Sequence, residues 1–139
     1  MAEMTPIEFD GVKYALYFQN RQLEEGVHFL TPDDLPLQVG VLVHQAGKTI
    51  RAHVHRDCDK LVHSTYEVLY VIDGRLEVTF YSPGGVPQGA QELAAGDTII
   101  LMSGGHGFKV IERCRVIEVK QGPYLGIDLE KAFFGNHRP

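Results

Sequence analysis

The stretch Gly47–Gly74, GKTIRAHVHRDCDKLVHSTYEVLYVIDG, decides how the rest of the chain is read. His53 and His55 are separated by one residue, and side chains two apart on an extended strand leave the same face. A strand over Thr49–His55 therefore presents both imidazoles on one side. Glu67 then opens the β-rich run Val68-Leu69-Tyr70-Val71-Ile72, which ends in Asp73-Gly74, a strong hairpin signal. Two neutral nitrogen donors with a carboxylate nearby are donor types that divalent transition metals accept.

Outward from this stretch the chain is a series of short strands broken by turn residues every eight to twelve positions. The pattern predicts strands at Val12–Phe18, Gln38–His44, Thr49–His55, Tyr66–Ile72, Arg75–Tyr81, Gln88–Leu93, Thr98–Met102, His106–Ile111 and Cys114–Lys120. Gln45-Ala46-Gly47, Asp73-Gly74, Ala95-Gly96-Asp97 and Ser103-Gly104-Gly105 are expected turns, and Ser82–Pro87 a loop. Residues 1–11 read as a loose arm, and Asn20–Pro36 as a loop with a helical turn at Gln22–Glu25. Gly126–Phe134 suits a short tail helix, with 136–139 frayed beyond it. The organisation expected is an arm, first strand and loop over 1–36, a barrel over 37–122 and a tail over 123–139. The rhythm is that of an all-β jelly roll or closed barrel, which protects its edges by closure. Val68–Ile72 is apolar on both faces, so a second subunit is the expected outer cover and a homodimer the expected assembly.

At 139 residues the chain can bury a core without disulfides. A formal charge of −5 and no basic run argue against nucleic acid as the main partner, leaving a small molecule as the expected ligand. The acidic start MAEMTPIEFD lacks an apolar core and is not expected to act as a signal peptide or anchor, and no apolar run is long enough to span a membrane. Cys58 and Cys114 form no paired motif, so reduced thiols and a cytoplasmic setting are expected.

These residues resemble the cupin superfamily of small jelly-roll barrels. Its first motif is matched by Gly47, five residues, His53-Val54-His55, and then Glu67, six residues and Gly74; the second is matched in outline by Gly96 through Gly104-Gly105-His106. The resemblance covers roughly residues 38–120. It implies a double-stranded β-helix and a metal held by His53, His55, Glu67 and His106. Two departures stand out. Eleven residues separate His55 from Glu67 where the family usually has three or four, which implies a long loop over 56–66 and admits Asp57, Asp59 or His63 as substitute ligands. Met102 replaces the usual Pro, and His106 follows Gly104 one residue early. Met102–Phe108 and Ile117–Tyr124 further resemble a subgroup that accompanies polysaccharide and sugar-nucleotide genes.

Three imidazoles and a carboxylate would close a tetrahedral Zn site, whereas around six-coordinate Fe, Mn, Ni or Co they leave two positions open. An open site can polarise a carbonyl or hydroxyl, or activate oxygen. Arg51 shares the parity of His53 and suits an anionic substrate group. Phe108 and Val110 share the parity of His106 and suit a pocket wall; Tyr70 and Tyr81 offer hydroxyls. The expected function is that of a metalloenzyme isomerising or oxygenating a small, oxygen-rich molecule, which the family resemblance implies is sugar-like. The rival is a non-catalytic small-molecule or sugar-binding module, since no second acid or base stands beside the ligand set.

Overall fold

The computed structural model of the chain describes residues 2–135; the expected frayed end at 136–139, with His137, lies outside them. Nearly half of these residues, 47%, are strand and only 3% helix, so the molecule is all-β. In chain order the elements are β1 (Thr5–Phe9), β2 (Val12–Phe18), β3 (Gly26–Phe29), β4 (Gly40–Val43), β5 (Glu67–Tyr81), β6 (Pro87–Ala94), β7 (Thr98–Leu101), β8 (Gly105–Lys120) and α1 (Ile127–Glu130). One antiparallel sheet runs β1-β2-β7-β5-β6, with β8 also paired to β5; β3 and β4 form a separate hairpin.

The architecture turns on two long strands where the sequence predicts four short ones. β5 passes straight through Asp73-Gly74 and β8 through Arg113-Cys114, paired to each other almost from end to end. Asp73-Gly74 is therefore not a hairpin turn. Gly74 keeps a positive φ of 82°, and a Cβ on it would sit 2.0 Å from the Arg113 carbonyl oxygen, a contact only glycine avoids. The pairing slips three times between Val71 and Leu76, the signature of bulges that bend and twist a strand pair. Here both strands bend together at a corner, and β5 changes its other neighbour from β7 to β6. Ion pairs brace the bend: Arg115 donates to both oxygens of Asp73, from its backbone N at 3.1 Å and from Nε at 2.7 Å. Arg75 bridges Glu92 and Glu112. Hydrogen bonding to Arg115 holds the Asp73 carboxyl below the usual carboxylate range.

The corner curls the sheet into a half-barrel. Before it, β5 lies between β7 and the last part of β8; after it, between β6 and the first part of β8. Inward side chains from both halves make one core of Tyr14, Ala15, Leu69, Val71, Leu76, Val78, Phe80, Leu93, Ile99 and Leu101. The alternation of Leu76, Val78 and Phe80 expected from sequence holds, all three being buried. A second core, centred on Leu16, Phe18, Leu30 and Ile100, packs Val39 and Val41 against the side chains of β2 and β7 that alternate with those of the first core.

Several expectations are corrected. Residues 5–9 are not a loose arm, because β1 pairs with β2 and places Ile7 and Phe9 against the main core. The segment 20–36 contains β3, which pairs with β4, and Gln22–Glu25 is not helical. Thr49–His55 is not a strand: residues 44–66 carry no regular structure, and 45–65 are exposed throughout. The tail helix shrinks to the single turn of α1 after Gly126. The outer face of Val68–Ile72 is covered in part within the chain, Val68 joining the second core, while Tyr70 and Ile72 stay 43% and 39% exposed. No helix among the described residues is long and apolar enough to cross a membrane.

Candidate functional site

Glu67 sits at the start of β5 opposite Lys120, and His106 sits near the start of β8 opposite Phe80. Thirteen steps along β5 separate Glu67 from Phe80, roughly 40 Å in a flat strand. Yet His106 Nε2 lies 3.4 Å from Glu67 Oε2. The fold at Asp73-Gly74 brings the two ends of the strand pair together. Gly104, with a φ of 69°, stands where a Cβ would clash with the Tyr14 ring and the Tyr81 carbonyl oxygen, so glycine allows the close crossing from β7 into β8.

Glu67 is 8% exposed as a residue, so its carboxylate has little water to solvate it. Hydrogen bonding to His106 is the largest influence on it and lowers its pKa against the opposing effect of burial; the charges of His106, Lys120 and Lys131 add to the lowering. A buried carboxylate kept ionised by its neighbours is a recurrent feature of functional sites.

The pair lies in an open cleft of about 790 Å³, a size that suits a small molecule. One wall comes from the half-barrel, with Leu101, Met102, His106 and Phe108; the other comes from the tail, with Lys131, Phe133 and Phe134. The tail is held by Phe134, whose ring rests on Gly85 and Gly105 and packs 5.7 Å from Tyr81. A Cβ on Gly105 would come within 2.3 Å of that ring, so glycine makes the seat.

Of the residues singled out from the sequence, Glu67, His106 and Phe108 meet in this cleft. His53 and His55 lie together on the exposed 45–65 stretch, ring centroids 5.2 Å apart, outside the cleft lining. His53 Nδ1 donates to the Arg51 carbonyl oxygen at 2.9 Å, so Nε2 is the ring nitrogen outside that bond. Arg51, Asp57, Asp59 and His63 are exposed on the same segment, and Tyr70 is on the outer face of β5. Among the described residues no group of three or more His, Cys, Asp or Glu side chains is gathered around a common point.

Sequence reasoning missed Lys120, Lys131, Phe133 and Phe134. Lys120 shares a face with Glu67 only because the two are register partners, and pairing register is not written in either strand alone. The two aromatic residues closing GIDLEKAFF were visible, but nothing in the sequence said which groove they fill. Compared with known proteins, no family model, no curated protein and no solved structure matches the chain.

Proposed function

We propose that the cleft is the working site of a metal-dependent, cupin-like barrel that takes a small oxygen-rich molecule. The observation that carries this is the Glu67–His106 contact on the cleft floor. With metal–ligand bonds of about 2.0–2.2 Å, two donors on adjacent positions of one ion lie roughly 3 Å apart, close to the separation found here. One carboxylate oxygen and one imidazole nitrogen suit a divalent transition ion.

Glu67 and His106 would hold the ion, with His53 and His55 as further imidazole donors. The eleven residues between His55 and Glu67 can extend to roughly 40 Å, so chain length does not keep the imidazoles from the cleft. With Nδ1 of His53 engaged by the Arg51 carbonyl oxygen, Nε2 is the nitrogen left to reach a metal. When bound, such an ion supplies Lewis acidity toward a carbonyl or hydroxyl, or a site for oxygen. The chain's own contribution is to keep Glu67 ionised, orient His106 beside it and screen the ligand with Phe108, Phe133 and Phe134. Isomerisation and oxygenation are the reactions this supports. The same reading takes a second copy of the chain as the cover for the exposed Tyr70, Ile72, Ile117 and Val119, which sedimentation checks.

A second reading, a non-catalytic module that binds its ligand by polar contacts, is favoured by one observation: His53 and His55 stand outside the cleft. Elemental analysis of the purified protein beside a His53→Ala/His55→Ala double variant separates the two. About one Fe, Mn, Ni, Co or Zn per chain, lost in the variant, supports the metalloenzyme. No metal in either protein after reconstitution contradicts it and favours the binding module.

A further inference from the structure

We infer that the cleft selects a ligand bearing a carboxylate, and that Lys131 on the C-terminal segment, together with Lys120 on β8, receives it. This builds on the cleft being the ligand site, but it does not depend on a metal. Both lysines line the cleft, and both act electrostatically on Glu67. Among the described residues no carboxylate lies within ion-pairing distance of either ammonium.

The two carboxylates of the lining are otherwise engaged. Glu67 is in contact with His106, and Glu130 Oε1 accepts the Leu125 backbone N–H at 3.1 Å. Lys120 Nζ rests 5.2 Å from the centre of the Tyr124 ring, a cation–π contact that positions the ammonium without neutralising it. Among the described residues the cleft therefore holds two ammonium groups with no carboxylate in direct contact, sharing the lining with Glu67 and Glu130, beside an apolar wall of Phe108, Phe133 and Phe134. A ligand carboxylate placed between them gains charge-assisted hydrogen bonds, while the rest of the molecule lies on the aromatic wall. Because Phe134 anchors the segment that carries Lys131, recognition depends on the tail being seated.

The test compares two sugars that differ in the carboxylate, galacturonate and galactose, by amide chemical-shift titration of the full chain with and without Zn²⁺. Galacturonate is expected to bind roughly tenfold more tightly, moving the His106, Phe108 and Lys131 signals, with the difference shrinking in high salt. Lys131→Met should abolish the preference, and Lys131→Arg should keep it. Equal binding of both sugars, no binding of galacturonate, or a preference that survives Lys131→Met would overturn the inference. A galacturonate preference in a protein that takes up no Zn²⁺ would uphold it while sinking only the metal reading.

Discussion

Tyr17 on β2 donates its hydroxyl to Asp97 Oδ2 over 2.9 Å, tying the second strand to the turn before β7. Asp97 is 5% exposed and also accepts the backbone N–H groups of Asn20 and Ala94, at 2.8 and 2.9 Å. One buried carboxylate thus satisfies three donors from three parts of the chain. Replacing Asp97 with Ala strands all three and should cost about 2–4 kcal/mol, whereas Tyr17→Phe removes one bond and should cost about 1 kcal/mol. Urea denaturation checks the ranking.

The same contact sets an alkaline limit. Burial first, then the hydrogen bond and charge of Asp97, push the Tyr17 hydroxyl up to about 12 from 10.0. The folded state therefore favours the protonated phenol. Its contribution to stability is complete below pH 10 and is lost as pH rises from 10 through about 12. Tyr17→Phe should flatten the fall in stability over that window, as read by denaturant midpoints at successive pH values.

On the acid side the sign is reversed. The lowered pKa of Glu67 means that its contribution is present above the ordinary carboxylate range and is lost as pH falls through the folded value. His106→Ala removes the largest lowering influence and leaves burial to act, so the Glu67 carboxyl should titrate at higher pH. Carbon-detected NMR titration of the glutamate carboxyls reads this directly; an unmoved Glu67 would refute the coupling.

The corner makes a comparison between two glycines informative. Gly74 and Gly47 both have positive φ, 82° and 86°, but a Cβ meets the Arg113 carbonyl at Gly74 and nothing within 4 Å at Gly47. Gly47→Ala should cost only about 1 kcal/mol, the left-handed backbone penalty. Gly74→Ala should cost roughly 3 kcal/mol or more, because the strands must part at the bend. Similar losses at both sites would argue against the bend.

These contrasts explain what was legible in the sequence. Val12–Phe18 was readable to the residue because its β-rich run is bounded by Gly11 and polar residues on either side. The alternation of Leu76, Val78 and Phe80 named its own inward face. Asp73-Gly74 misled because a hairpin turn and a bulge at a corner make the same local demand, a positive φ, and local sequence does not tell them apart. His53 and His55 alternate as a strand would, but strand formation needs a partner edge, and the 44–66 segment has none here. Glu67 and His106 were both singled out, yet their contact depends on the bend, a property of two strands rather than of either.

The most direct test of the account is calorimetric titration of Zn²⁺ into the wild-type chain, Glu67→Gln and His106→Ala. The account predicts about one ion per wild-type chain and at least roughly tenfold weaker binding in each variant. Equal affinity in all three proteins, or no uptake by the wild type, would contradict the claim that the joined ends of β5 and β8 form a metal site.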